Sequence, residues 1–132
     1  APAVRRRRAV SGYGRPRRRG LARLAAALGH SLEGLAAALR HEEAFRLEAA
    51  AAAVLLPVAF FLPVSGAGRA LMIGSVLAVL VVELVNSALE AAVDRVSLED
   101  HPLAKRAKDL ASAAVLLSLL NVPLVWLLVL LG

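Results

Sequence analysis

The sequence predicts an all-α membrane protein: an N-terminal amphipathic surface helix followed by three transmembrane helices. Three observations lead there. The 132 residues are 59% hydrophobic with a mean hydropathy of +0.69, far more apolar than a soluble domain of ordinary composition. Three long apolar stretches each approach the length a bilayer demands. Ahead of them, "LARLAAALGHSLEGLAAALRHEEAF" spaces its leucines by three and four residues, the period of a helix with one apolar face.

Residues 1–20 form an Arg-rich, flexible extension, and residues 21–132 a single integral-membrane domain. Nine of the sixteen basic residues lie between Arg5 and Arg23, and no acidic residue precedes Glu33. Such a block suits a nucleic-acid arm, a transit peptide, or a cytoplasmic flank resting on anionic lipid. The membranous remainder favours the flank, and the block is short of the interleaved aromatics that stack on bases, so no nucleic-acid partner is expected. There is no cysteine, which excludes a disulfide framework and a thiolate metal site.

The surface helix covers about residues 21–40, with Leu21, Leu24, Leu28, Leu32, Leu35 and Leu39 on one stripe and Arg23, Glu33 and Arg40 off it. It lies in the membrane surface, and Gly29 and Gly34 are the places where it could break. The first span covers about residues 44–64. Its uncharged part, Ala49 to Val64, is only about 24 Å long at about 1.5 Å per residue. It therefore borrows Ala44 and Phe45, with Arg46 and Glu48 snorkelling or pairing. Pro57 can kink it, and Pro63 with "SGAGR" makes a tight loop. The second span, about residues 70–93, is uncharged only to Val82; the third, about residues 111–131, carries no charge and can bend at Pro123. Basic residues flank span one on its N-terminal side and lie between spans two and three (Arg95, Lys105, Arg106, Lys108), while the intervening loop holds only Arg69. This asymmetry predicts a multi-pass protein with a cytoplasmic N-terminus and a C-terminus across the membrane.

Within "VVELVNSALEAAVDR", a helix turning about 100° per residue places Glu83, Asn86, Glu90 and Asp94 at roughly 0°, −60°, −20° and +20°, with Ser87 at roughly +40°. They share one stripe, apart from Leu84, Val85 and Leu89. Leu, Ile and Val in this span contribute roughly 4–7 kcal/mol to insertion, and two carboxylates at its centre would cost roughly 5–7 kcal/mol. The carboxylates are therefore off centre toward the cytoplasm, protonated, or opposite a cation inside protein. The bland alternative is that they only join helices by hydrogen bonds, yet three acidic groups on one stripe repel, and Asn, Ser or Gly would pack better. Carboxylate and amide oxygens without His or Cys suit a hard cation, above all magnesium carried on nucleotide phosphates.

Two further polar groups stand at the same membrane face. In "RHEEAFRLE", Glu42 and Arg46 are four apart and can pair, an ordinary interfacial salt bridge being worth under about 1 kcal/mol. In "KRAKDLAS", Lys108 and Asp109 can bind phosphate or simply end a basic loop. His30, His41 and His101 are scattered surface residues. No GxxxxGK[ST], HExxH or protein-kinase signature is present, so a nucleotide site here is not a P-loop.

Taken together, "EEAFRLE", "VELVNSALEAAVDRV" and "HPLAKRAKDLASAAVLL" resemble the bacterial integral-membrane diacylglycerol kinase family, the prokaryotic diacylglycerol and undecaprenol kinases, over about Leu24 to Leu130. The central E-x-x-N-S-A-x-E-x-x-V-D-R match is specific. The resemblance implies a homotrimeric helical bundle with active sites shared between subunits, and transfer of the ATP γ-phosphate to diacylglycerol to give phosphatidic acid, with Mg2+ as cofactor. By matching position, Glu83 is the general base and Asn86 a catalytic partner near the reacting phosphoryl group. Glu42 and Glu90 hold the metal on the nucleotide, which Lys108 and Asp109 also contact. Glu83, Arg46 and Ser112 meet the lipid. Asp94 and Arg95 match too and are read as structural or orienting. Leu47 departs from the family's usual polar residue, and His30 and Leu32 stand where aromatics are common.

The chief rival acceptor is undecaprenol, under the same chemistry. A small ion or proton carrier using Glu83 and Glu90 is a rival of another class, as is a purely structural assembly factor that binds no nucleotide.

Overall fold

The computed structural model describes residues 19–96 and 100–132; of the Arg-rich extension, all but Arg19 and Gly20 lies outside the described residues. The described regular structure is helical: α1 (Leu21–His41), α2 (Glu43–Phe61), α3 (Gly66–Val96) and α4 (Pro102–Leu131). The chain divides into two units, Ala1–Glu33 and Gly34–Gly132.

In the first unit, Gly20 turns the chain into α1 with a φ of 61°, a left-handed conformation that glycine adopts without a side-chain clash. Leu21, Leu24, Leu28 and Leu32 are all exposed, so the apolar stripe has no partner among the described residues of this unit. Ser31 Oγ donates to the Ala27 carbonyl at 3.0 Å. The helix is unbroken through both Gly29 and Gly34. Each costs about 1 kcal/mol relative to alanine, which a helix of this length absorbs.

In the second unit, α2, α3 and α4 are each long and apolar enough to cross a membrane. At about 1.5 Å per residue, α2 measures about 28 Å while α3 and α4 measure about 45 Å each, against a hydrocarbon core of about 30 Å. The two long helices must project beyond the apolar layer, and their charged ends are the parts that project. This explains why α3 starts at Gly66, ahead of the expected Ala70, and α4 at Pro102, ahead of Ala111. Helix formation needs only backbone hydrogen bonds, whereas a span needs apolar length. In α2 the helix ends at Phe61, before Pro63, which cannot continue the ladder.

Helix α3 is the middle element, packed on α2 and on α4. The core consists of Phe45, Ala52 and Ala59 from α2 and Met72, Val76 and Val79 from α3, with Ser75 and Glu83 buried among them. The two alanines let the backbones approach closely, which is how helices associate where lipid removes the usual hydrophobic drive. Ser75 Oγ is satisfied by the Met72 carbonyl at 2.7 Å.

Helix ends are closed by side chains. Arg69 donates to the Ala59 and Leu62 carbonyls at 3.1 and 2.9 Å, occupying acceptors that the end of α2 leaves free. Ser65 Oγ accepts from Gly68 N at 3.0 Å, and His101 Nδ1 accepts from Leu103 N at 3.0 Å. Pro57 and Pro123 lie inside α2 and α4, which continue through them.

Helices α3 and α4 also meet at the end away from Glu83 and Glu90. Trp126 Nε1 donates to the Met72 carbonyl at 3.2 Å, and a Cβ on Gly68 would stand 2.8 Å from Val129 Cγ1. Gly68→Leu is therefore expected to lower stability in micelles by about 1–3 kcal/mol through overpacking, with part restored by Val129→Ala. Fluorescence of Trp126, the single tryptophan, followed through an SDS titration measures this; an unmoved midpoint would rule out so close an approach. Helix α4 has no buried residue, and Leu116, Leu117, Leu120, Leu124, Leu127 and Leu128 are exposed, an apolar surface suited to lipid or protein rather than water.

Candidate active site

The site forms on the C-terminal half of α3, where acidic residues interrupt its apolar run. Glu83 is only 4% exposed, Asn86, Ser87 and Glu90 are half-buried, and Val85 between them is exposed. The polar stripe thus faces into the protomer and the valine away from it. The Asn86 amide, one turn on, is a hydrogen-bonding neighbour of the Glu83 carboxyl, and the charges of Glu90 and Glu42 both reach it.

Glu42 arrives from the junction of α1 and α2. It is the single residue between the two helices, extended at φ −111° and ψ 106°, and its side chain makes no capping bond to α2. That leaves its half-buried carboxylate free for another task. The Glu42–Arg46 ion pair expected from four-residue spacing does not form. Arg46 Nη1 instead donates to the Leu39 and Arg40 carbonyls at 3.2 and 3.0 Å. Four-residue spacing aligns side chains only inside a helix, and Glu42 lies just outside one.

Glu48 is an addition that sequence reading assigned only to snorkelling or pairing. It stands within charge range of Glu83, on the α2 face that carries buried Phe45 and Ala52. Its three- and four-residue offsets from those core residues are the signal that would have turned it inward. Glu48 Oε2, Asn86 Oδ1 and Ser87 Oγ are buried without a hydrogen-bond partner. Each such atom costs about 1–3 kcal/mol, and all three belong to the stretch of α2 and α3 that carries the carboxylates. Unpaired buried acceptors gathered in one region mark a place prepared for a ligand or a neighbouring chain.

The start of α4 closes the mouth. Lys108 Nζ binds Asp94 Oδ1 at 2.5 Å, tying α4 to α3, and lies within charge range of Glu90. Asp109 is exposed and pairs with Lys105 at 2.6 Å, an exposed i,i+4 contact of little stabilising value. Ser112, one turn further, is exposed. The structure thus places Glu42 and Glu90 within charge range of Glu83, with Asn86 one turn along from it, sets Lys108 near Glu90 through its bond to Asp94, and leaves Asp109 and Ser112 exposed on the protomer.

Four acidic side chains stand against one nearby ammonium, itself paired with Asp94, so the site favours a bound cation. Among the described residues no three His, Asp or Glu side chains gather closely enough to cage a metal. Magnesium is nevertheless a fit, because it typically takes one or two protein carboxylates and completes its shell with water and substrate phosphates.

Comparison with known proteins gives the same direction. The family model described as prokaryotic diacylglycerol kinase matches residues 29–130. The diacylglycerol kinase of Pseudomonas aeruginosa is 54% identical over 113 residues, covering 86% of this chain and 92% of that protein. Those of Haemophilus influenzae and Escherichia coli K12 are 46% and 44% identical over 107 residues, each covering 81% of this chain and 91% and 88% of their own lengths. A family match over residues 29–130, with relatives 44–54% identical across most of their own lengths, places this chain in the prokaryotic diacylglycerol kinase family.

Proposed function

We propose that this chain transfers the γ-phosphate of ATP to the free hydroxyl of diacylglycerol, yielding phosphatidic acid and ADP. The observation that carries the reading is a buried Glu83 within charge range of Glu42 and Glu90, on the polar stripe of α3, in a member of this family. Phosphoryl transfer asks for positioning and charge neutralisation more than covalent help, and these residues can supply both.

Glu83 accepts the proton of the lipid hydroxyl as its oxygen bonds to the γ-phosphorus and the bond to the bridging β,γ oxygen breaks. Asn86 orients that carboxylate and offers its amide to the phosphoryl oxygens. Glu42 and Glu90 would hold magnesium, which would supply positive charge against the nucleotide phosphates. Lys108 adds a cation at the mouth, oriented by Asp94. Asp109 contacts the nucleotide, and Ser112 is assigned to the lipid side by family resemblance.

The reading extends to the assembly. Within one protomer α4 buries nothing, which supports a homotrimer in which neighbouring chains cover it and share sites. The leucine stripe of α1 supports a helix lying on the membrane, and the basic flanks support an N-terminus in the cytoplasm of a bacterium, with the chain in its inner membrane.

Turnover of diacylglycerol and undecaprenol should be compared in mixed micelles with ATP and magnesium. Diacylglycerol is expected to be phosphorylated the faster; faster polyprenol phosphorylation would overturn the acceptor assignment, and no phosphorylation of either would overturn the kinase reading.

A further inference from the structure

The structure uses Arg46 in a way that lipid contact does not require. Helix α1 ends at His41, and its last carbonyls have no partner within the helix. Arg46 is in the first turns of α2, and its Nη1 donates to two of those carbonyls, Leu39 at 3.2 Å and Arg40 at 3.0 Å. The guanidinium also places a positive charge at the negative end of the helix dipole. Between the anchored turn and Arg46 lies one non-helical residue, Glu42. Backbone bonds close on it from both sides: Glu42 N to the Ala38 carbonyl at 2.9 Å, and Arg46 N to the Glu42 carbonyl at 3.1 Å.

We propose that Arg46 is a positioning residue for Glu42, clamping the end of α1 to the start of α2 so that the Glu42 carboxylate is held toward the Glu83 and Glu90 face for the metal–nucleotide complex. The inference rests on the reading of Glu42 as a metal-holding carboxylate. Without the clamp, only the two backbone bonds at Glu42 tie α1 to α2 there, and the Glu42 side chain, which makes no capping bond, follows any movement of the junction. Lysine can reach one carbonyl but lacks the planar group that spans two acceptors from a fixed position, so Arg46→Lys restores only part of the effect.

The test uses the full-length enzyme in mixed micelles with Arg46→Gln, Arg46→Lys, Glu42→Gln and the Glu42→Gln/Arg46→Gln double variant. Manganese binding with a non-hydrolysable ATP analogue is followed by electron paramagnetic resonance, and the diacylglycerol KM is measured separately. Arg46→Gln is expected to weaken manganese binding about tenfold, the scale of releasing one residue's backbone, with the lipid KM moved by less than about twofold, as uniform lipid binding is untouched. Arg46→Lys should fall between the two, and Arg46→Gln should add nothing once Glu42 is Gln.

A raised lipid KM with unchanged manganese binding would overturn the proposal and make Arg46 a lipid contact. Unchanged manganese binding in Glu42→Gln would instead overturn the role of Glu42 itself. If Arg46→Gln does not fold, as judged by Trp126 fluorescence, the Arg46→Lys titration decides: binding equal to the native enzyme rejects the clamp.

Discussion

Glu83→Gln is expected to reduce lipid phosphorylation by about 10²- to 10⁴-fold, the range over which a positioned general base contributes. The substitution is close to isosteric, so it leaves the packing around this 4% exposed side chain essentially intact. What it removes is the capacity to accept a proton, since an amide oxygen is a far weaker base than a carboxylate. Trp126 fluorescence and the oligomeric state in detergent should match the native enzyme, which separates lost chemistry from lost folding. The rate of phosphatidic acid formation under saturating ATP and magnesium is the measurement, and retention of most of that rate would exclude Glu83 as base. A carrier built on the same stripe would show no phosphoryl transfer before or after the change, and would lose proton flux into liposomes instead.

Glu90→Gln should act differently. If Glu42 and Glu90 hold magnesium as proposed, removing one of the two carboxylates forfeits part of the several kcal/mol that a cation contributes to stabilising phosphoryl charge, a loss of about 10²-fold in kcat/KM at ordinary magnesium concentrations. Because binding rather than proton transfer is damaged, raising magnesium should recover part of the rate, whereas Glu83→Gln should not respond. Glu90 is half-buried on the face shared with Glu83, and Lys108 lies within its charge range, so the loss of its charge also loosens the ammonium at the mouth. A magnesium titration of initial rates at fixed ATP distinguishes the two variants. Identical magnesium dependence in native enzyme and Glu90→Gln would remove this residue from the metal site.

Much of the architecture was legible in the residues because it is local. Apolar length announced three spans, leucine spacing announced α1, and a rotation of about 100° per residue gathered Glu83, Asn86, Ser87 and Glu90 on one face. The stripe could be recognised before any partner was known, since side chains on one helix are related by the helix alone.

The errors lie where one element meets another. The Glu42–Arg46 pair fails because the junction residue is extended, which moves its side chain off the helical register, and because the end of α1 offers Arg46 free carbonyls. Glu48 joined the site through the face that α2 presents to α3, fixed by the burial of Phe45 and Ala52. The close passage of Gly68 past Val129, and the bond from Trp126 to the Met72 carbonyl across 54 residues, had no sequence signal at all.

The sequence by itself therefore determined which segments are helical, which can enter lipid, and which acidic residues share a stripe, for these follow from composition and helical periodicity. Only the tertiary structure decided which helix lies in the middle, how Glu42 and Glu48 come to face Glu83, and what Arg46 and Lys108 hold. Those relations depend on which side chain reaches which free backbone acceptor or opposite charge on another element, a competition settled by packing distances that no periodicity within one helix encodes.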